Sequence, residues 1–435
     1  MAKPANIIPV VSQGRHMKVA FYTLGCKLNQ AETESLAAQF AEAGYQLAAP
    51  SEVADIYVAN TCTVTHIADR KSRHWLRLVR QRNLKALIIA TGCYAQRAPQ
   101  ELSQLADLVL GNKQKENLLQ VVQGIDRFSL MSGQRKALSP DGVGRTRSLI
   151  KIQDGCRSPC TYCIVPGVRA DEYSLHPLEI LKEIKAKVAT GYREVVLTGT
   201  KIGCYKHDGI NLRHLIEHIL CHTNVERLRL SSLQPQEISP QLLTLWQDGR
   251  LCRHFHLALQ SGSDSVLQRM KRCYSLDDYQ RAVSLIREAV PGVAVTTDVM
   301  VGFPGETDEE FEQSHRFCQE ASFANIHVFP FSPRPATRAE TMPHQVPDHT
   351  KKERTQRMLQ LATYSRHSFW EQFVGQSMSV LWEKETNSGE GTYSGLSDNY
   401  VRVFTRSDKP LSSQIAPVRI AGFHEQGLQG ELISQ

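Results

Sequence analysis

Short apolar runs of strand length recur along this chain, separated by longer stretches in which apolar and polar positions mix with helical spacing. Near the start the runs are Lys18-Val19-Ala20-Phe21-Tyr22, Ile56-Tyr57-Val58-Ala59-Asn60 and Ala86-Leu87-Ile88-Ile89-Ala90. Continuous apolar runs of this length read as buried strands, and their alternation with amphipathic segments predicts a parallel α/β sheet. Six more runs follow: Leu149-Ile150-Lys151-Ile152, Glu194-Val195-Val196-Leu197, Arg227-Leu228-Arg229-Leu230, Phe255-His256-Leu257-Ala258-Leu259, Val293-Ala294-Val295-Thr296-Thr297 and Ile326-His327-Val328-Phe329. Helical segments such as Leu178 to Val188 and Asp278 to Ala289 lie between them. Six β/α units predict a partial (β/α)6 barrel, with its chemistry on the rim at the C-terminal ends of the strands. A polar helix from about His349 to Phe373 then leads to Met378–Trp382, Tyr400–Phe404 and Ile415–Ile420, which read as short strands between Gly, Asp and Ser turns. That pattern predicts a small OB-like all-β barrel, a fold often found on nucleic acids; a structural cap or a protein-binding module fits it too.

The fold class is therefore α/β with a small all-β addition. The expected boundaries are an extension at 1–16, an N-terminal parallel α/β domain at 17–125, a linker at 126–144, a barrel at 145–371 and the all-β domain at 372–435. The linker expectation comes from Gly133, Pro140, Gly142 and Gly144 among basic residues, with no sustained apolar period. Met1 and Met17 both stand as candidate starts.

Composition narrows the setting. At 435 residues the chain is long enough for about three domains, and eleven cysteines are too few for a disulfide scaffold and odd in number. A reducing, cytoplasmic setting is expected, with no membrane contact, since no apolar run approaches a span of about 20 residues. The net charge of +7 favours an acidic ligand.

The sharpest chemical signal is Cys156-Arg157-Ser158-Pro159-Cys160-Thr161-Tyr162-Cys163. Three thiolates spaced in this way can hold three irons of a four-iron cluster and leave the fourth open, the mark of a catalytic centre. A zinc site is the competing reading, but zinc usually takes four ligands from paired C-x2-C knuckles, and no second knuckle exists here. The spacing, with Tyr162 before the last cysteine, resembles that of the radical S-adenosylmethionine enzymes.

Three further cysteines follow strand ends in the N-terminal region: Cys26 in Leu24-Gly25-Cys26-Lys27-Leu28-Asn29, Cys62 in Asn60-Thr61-Cys62-Thr63-Val64-Thr65 and Cys93 in Thr91-Gly92-Cys93-Tyr94. Taken singly each is a small buried hydrophobe. Parallel strands share one edge at their C-termini, so the repeated position predicts a second three-cysteine site. The barrel rim adds Gly199, Ser231, Gln260 and Asp298, with Gly302 to Thr307, whose glycines and polar groups suit a cofactor. Ordinary turn formation explains each of these singly. Arg70, Lys71, Arg73, His74, Arg77, Arg80, Arg82 and Lys85 crowd the segment after Cys62, with Trp75 among them. A phosphate backbone is the favoured ligand for this run over a solvated face.

Together these motifs resemble the methylthiotransferase family of radical S-adenosylmethionine enzymes, over nearly the whole chain from Met17. Leu24 to Glu32, Asn60 to Thr65 and Ala68-Asp69-Arg70-Lys71-Ser72-Arg73 look most like the branch acting on N6-threonylcarbamoyladenosine at position 37 of tRNA. The resemblance implies two 4Fe-4S clusters, one on Cys156, Cys160 and Cys163 and one on Cys26, Cys62 and Cys93. It also implies S-adenosylmethionine as radical source and methyl donor, with Tyr162, Gly199, Ser231, Gln260 and Asp298 as cofactor contacts. A C-terminal TRAM domain, the tRNA anticodon loop as partner, a flavodoxin- or ferredoxin-like electron donor and a monomeric state are expected on the same ground. Arg169-Ala170, Tyr173-Ser174, Lys201 and Ala336 depart from the family pattern. Another tRNA adenosine, a ribosomal protein side chain and a non-catalytic iron-sulfur RNA-binding role are the competing functions.

Overall fold

A computed structural model describes residues 17–125, 146–386, 389 and 391–433. The expected extension at 1–16 and the expected linker at 126–144 lie outside them. The chain forms two compact units, divided between Val143 and Gly144.

The N-terminal unit is a five-stranded, all-parallel sheet. Its strands are β1 (Lys18–Thr23), β2 (Gln46–Ala48), β3 (Ile56–Thr61), β4 (Leu87–Gly92) and β5 (Leu108–Leu110), in the order β2-β1-β3-β4-β5. Every residue of β3 and β4 is buried, as expected when helices cover both faces. Val19, Ile56, Val58, Leu87 and Ile89 face one core with Leu36 and Phe40 of the helix Lys27–Glu42. Ala20, Tyr57, Ala59, Ile88 and Ala90 face the other, with Trp75, Leu76 and Val79 of the helix His66–Arg82. The period-two alternation of a strand deals successive residues to the two cores.

In the C-terminal unit the sheet runs through β6 (Arg147–Asp154), β7 (Glu194–Gly199), β8 (Arg227–Leu230), β9 (Ser232–Leu233), β10 (His254–Leu257), β11 (Ala294–Val301) and β12 (Asn325–Pro330). β6, β7 and β8 pair in parallel, as do β9 to β12 in chain order. Only Ser231 separates β8 from β9, so the two sheets join into a curved, open array of six parallel strand positions. Helices Pro177–Ala189, Leu212–His222, Leu276–Ala289 and Asp308–Glu320 bury apolar faces against it. Two of them start on a reciprocal capping box, Ser275 with Asp278 and Thr307 with Glu310.

The helix Asp348–Glu371 ends with Phe369 and Trp370, which pack with Phe373 into the core of a closed five-stranded barrel. Its strands are β13 (Ser377–Glu385), β14 (Thr392–Ser397), β15 (Arg402–Arg406), β16 (Ile415–His424) and β17 (Gly427–Leu432), in the order β13-β14-β15-β17-β16. Three of these strands are legible as apolar runs; β14 and β17 carry glycines and few large apolar residues. Gly395 and Gly430 stand where a Cβ would meet Leu381 O at 2.5 Å and Val403 Cγ1 at 2.9 Å, so the close approach of neighbouring paired strands needs the missing side chain. Among the described residues no helix is long and apolar enough to cross a membrane.

Ala336 occupies the left-handed region, with φ of 65°. A Cβ there costs about 1–2 kcal/mol, and glycine gives back about 0.5–1 kcal/mol through the unfolded chain. Ala336→Gly is therefore expected to raise unfolding stability by about 0.5–1 kcal/mol, read as a higher denaturant midpoint.

Candidate functional site

Cys26, Cys62 and Cys93 follow β1, β3 and β4, three adjacent strands of the N-terminal sheet. Cys26 caps the helix Lys27–Glu42 and is exposed, whereas Cys62 and Cys93 are buried. Burial pushes the Cys62 thiol up to about 12, and negative charge on Cys93 and Cys26 pushes the same way. The three sulfurs are thus electrostatic neighbours, and ionising all of them together calls for a cation among them.

Polar residues outside the trio hold the loops in place. Asn29 is buried, and its side-chain amide donates to Leu24 O at 2.8 Å and Thr61 O at 3.2 Å, tying the Cys26 loop to the Cys62 loop. Asn60 returns a bond to Asn29 O at 2.8 Å. Arg97 joins the Cys93 segment to the helix after Cys62, through Thr63 Oγ1 at 2.8 Å and Asp69 at 3.2 Å. Gly25 has φ of 109°, and a Cβ there would lie 3.0 Å from Cys62 Sγ. None of these ties is legible in the sequence, because each joins segments at least 28 residues apart or depends on the loop's shape.

The second trio lies just past the end of β6. Gly155, with φ of 79°, turns the chain where a Cβ would meet Asp171 O at 2.0 Å. Thr161 fastens the loop, donating its N–H to Met270 O at 3.1 Å and accepting from Ala339 N at 2.9 Å through its carbonyl. Burial pushes the Cys163 thiol up to about 12, and charge on Cys160 and Cys156 adds to it. Arg272 donates to Cys160 Sγ at 3.3 Å. Arg272 comes from 112 residues away, and the sequence does not signal it. Among the described residues neither trio has its three sulfurs mutually within 4.8 Å, as one shared ion would require. Three thiols in mutual electrostatic reach but too spread for one ion fit a cluster, whose irons each take one cysteine.

The five expected cofactor contacts lie on or near the same rim. Gly199 ends β7, where a Cβ would meet Gln153 O at 2.6 Å. Gln153 binds Gly155 O at 2.7 Å and accepts from Lys201 N at 2.7 Å, linking the cysteine loop to the segment after β7. Ser231 is buried between β8 and β9, its N–H on Leu197 O at 3.0 Å. Gln260, with φ of 70°, brackets β11 by donating to Asp298 O and accepting from Met300 N, both at 2.8 Å. His256 Nε2 lies 3.2 Å from Asp298 Oδ2, which orients that carboxylate. Tyr162 packs its ring against the cluster of Val266, Met270, Phe303, Phe331 and Ala339, and its hydroxyl accepts from Arg272 at 3.5 Å.

The basic helix divides its charges. Arg73 bonds Tyr94, Arg80 pairs with Asp107 at 2.7 Å, and Arg82 donates to Pro50 O at 2.7 Å. Asp69, the acidic residue of the run, is buried against Arg97. Arg70, Lys71, His74 and Arg77 are exposed on the opposite face, and Lys85 lies beyond the helix end.

A parallel open barrel with a three-cysteine loop after its first strand defines a radical S-adenosylmethionine enzyme, and residues 150–318 match the Radical SAM superfamily. Residues 18–111 match the model described as Uncharacterized protein family UPF0004. Threonylcarbamoyladenosine tRNA methylthiotransferase MtaB of Bacillus subtilis is 36% identical over 421 residues, covering 92% of this chain and 93% of that one. Its namesake in Thermotoga maritima is 37% identical, covering 88% and 90%. The tRNA-2-methylthio-N(6)-dimethylallyladenosine synthase of Moorella thermoacetica is 32% identical, covering 94% and 97%. The radical S-adenosylmethionine methyltransferase TsrM of Kitasatospora setae shares the fold, with a TM-score of 0.55 at 13% identity over 74% of this chain and 75% of that one. The chain belongs to the MtaB-type methylthiotransferase family of radical S-adenosylmethionine enzymes.

Proposed function

We propose that this enzyme converts N6-threonylcarbamoyladenosine at position 37 of tRNA to its 2-methylthio form. The observation that carries this reading is the pair of coupled cysteine trios, each at strand C-termini of its own parallel sheet. The run Lys27-Leu28-Asn29 and the higher identity to the MtaB relatives favour this substrate over dimethylallyladenosine. Cys156, Cys160 and Cys163 would hold a four-iron cluster that would supply the electron for radical cleavage of S-adenosylmethionine, and Cys26, Cys62 and Cys93 would hold a second that would supply sulfur for methylthiolation.

The chain's own residues position these groups. Arg272 donates to Cys160 Sγ, Gly199 lets the chain pass close against Gln153, and Asp298, steadied by His256, is offered as a hydrogen-bond acceptor for the cofactor. Gln260 and Ser231 present further polar groups, and the Tyr162 backbone is the fifth contact. The units are assigned as a methylthiotransferase N-terminal domain at 17–125, a radical core at 145–371 and a TRAM domain at 372–435. The anticodon loop is the partner, a flavodoxin or ferredoxin the electron donor, and the working form a cytoplasmic monomer.

Given reductant, a sulfur source and S-adenosylmethionine without oxygen, the enzyme is expected to yield 2-methylthio-N6-threonylcarbamoyladenosine in digested tRNA by mass spectrometry. tRNA carrying unmodified adenosine should react poorly, because a site built to bind the threonylcarbamoyl group leaves buried polar groups unmatched without it. Methylthiolation of dimethylallyladenosine, or of a ribosomal protein with tRNA untouched, would defeat the substrate assignment. Replacing Arg70, Lys71 and Arg77 by alanine is expected to weaken tRNA binding and flatten its salt dependence by about one counterion per lost phosphate contact, while S-adenosylmethionine cleavage without tRNA persists.

A further inference from the structure

Lys201, one of the departures from the family pattern, stands directly before the short 3-10 turn Ile202–Cys204 that follows β7. The Cys204 N–H closes that turn on the Lys201 carbonyl at 3.0 Å. Both side chains reach the same atom: Lys201 Nζ lies 3.9 Å and Cys204 Sγ 3.8 Å from Glu237 Oε1.

Glu237 is held from its other side, its Oε2 accepting the Gln234 N–H at 2.9 Å. It seats directly against the turn, since a Cβ on Gly203 would fall 1.9 Å from that same Oε2. The lysine side chain is 19% exposed and that of Glu237 8%, while Cys204 is open to solvent and to dissolved gases. A thiol and an amine are thus gathered at one carboxylate oxygen, at a place dioxygen can reach.

We infer that Lys201 and Cys204 are the site of a covalent nitrogen–oxygen–sulfur bridge formed with dioxygen. The S–H bond and one N–H bond of the neutral amine break, and S–O and O–N bonds form to one oxygen atom. The other oxygen atom leaves as water with both hydrogens. Sulfur and nitrogen each give up two electrons, which accounts for the four that dioxygen takes. Starting from the ammonium form, one further proton is released, and Glu237 is placed to take it. The bridge locks the turn after β7 and removes a positive charge that acts electrostatically on Cys156. It therefore couples exposure to oxygen to the surroundings of the barrel cysteines, independently of which substrate the enzyme takes.

The test uses the holoenzyme purified without oxygen, then exposed to air, denatured, alkylated and digested with trypsin. Without the bridge, trypsin cuts after Lys201 and Cys204 carries the alkylating group. With it, residues 194–206 are expected as one uncut, unalkylated peptide about 14 Da heavier than the unmodified sequence, one oxygen gained and two hydrogens lost. Dithiothreitol should restore both cleavage at Lys201 and alkylation of Cys204. Lys201→Arg and Cys204→Ser should each abolish the heavier species. The inference is overturned if air-exposed wild type shows Cys204 alkylated in full, oxidised to sulfenic or sulfinic acid with Lys201 still cleaved, or joined to another cysteine.

Discussion

Replacing Cys156, Cys160 and Cys163 by alanine is expected to abolish cleavage of S-adenosylmethionine altogether, whereas replacing Cys26, Cys62 and Cys93 leaves that cleavage intact and abolishes the methylthio product. The two trios sit in separate compact units, each fastened by its own hydrogen bonds: Asn29, Asn60 and Arg97 in one, Gln153 and Thr161 in the other. Neither set of ties uses a residue of the other unit, so each site should load metal without its counterpart. Iron and sulfide in each triple variant should fall to about half the wild-type content, because the proposed function places one four-iron cluster on each trio. Mössbauer spectra of the anaerobic proteins and chromatographic assay of 5'-deoxyadenosine and of the modified nucleoside read both arms. A wild type that takes up a single cluster, or cleavage lost in both variants, would defeat the division of labour.

The second large effect concerns Glu194, the first residue of β7. Its side chain and that of Arg229 are fully buried, and Arg229 Nε donates to Glu194 Oε1 at 2.7 Å. Its other guanidinium nitrogens donate to Glu194 Oε2 at 3.3 Å, to Asp398 O at 2.9 Å and to Ser397 O at 3.2 Å, at the end of β14. Arg227 lies 3.8 Å from the same carboxylate and donates to Ser379 O at 2.7 Å and Leu396 O at 3.0 Å. One carboxylate thus steadies two arginines that fasten the closed barrel to the parallel sheet. Glu194→Gln keeps the shape and leaves those charges short of their counterion, and removing one member of a buried pair costs about 3–5 kcal/mol. The expected reading is a marked fall in the denaturation midpoint by tryptophan fluorescence, with earlier proteolysis of the C-terminal barrel. An unchanged midpoint would mean that Asp398 alone balances the arginines.

The acid side of the same site has a definite sign. Burial pushes the Glu194 carboxyl up, but the charges of Arg229, Arg147 and Arg227 and the hydrogen bond from Arg229 outweigh it and hold it below its ordinary value. A depressed folded value contributes stability above the unfolded carboxylate pKa of about 4.3, lost as pH falls through the folded value. The wild type should therefore lose this contribution progressively as pH falls below about 4.3, while Glu194→Gln lacks it at every pH.

The apolar pattern and local spacing determined much of this protein. Runs such as Ile56–Asn60 and Ala86–Ala90 are apolar on both faces, which dictates buried parallel strands. The spacing of Cys156, Cys160 and Cys163 is a local property, so its chemistry is readable without a fold. The positions of Cys26, Cys62 and Cys93 just past strand ends are equally local. Tertiary structure decided whether those strand ends lie side by side, because the order β2-β1-β3-β4-β5 is a matter of long-range pairing. It also decided which side chains hold the cysteine loops: Arg272 reaches Cys160 from 112 residues away, and no periodicity encodes such a contact. The same holds for the basic helix, where Arg73, Arg80 and Arg82 turn to Tyr94, Asp107 and Pro50 while Arg70, Lys71 and Arg77 stay outside. β14 and β17 escape notice in the sequence because their glycines serve the close approach of neighbouring paired strands, and only closure of the barrel supplies the neighbours that make those segments strands. Local chemistry is written in neighbouring residues, whereas the groups that tune it are chosen by how distant segments pack.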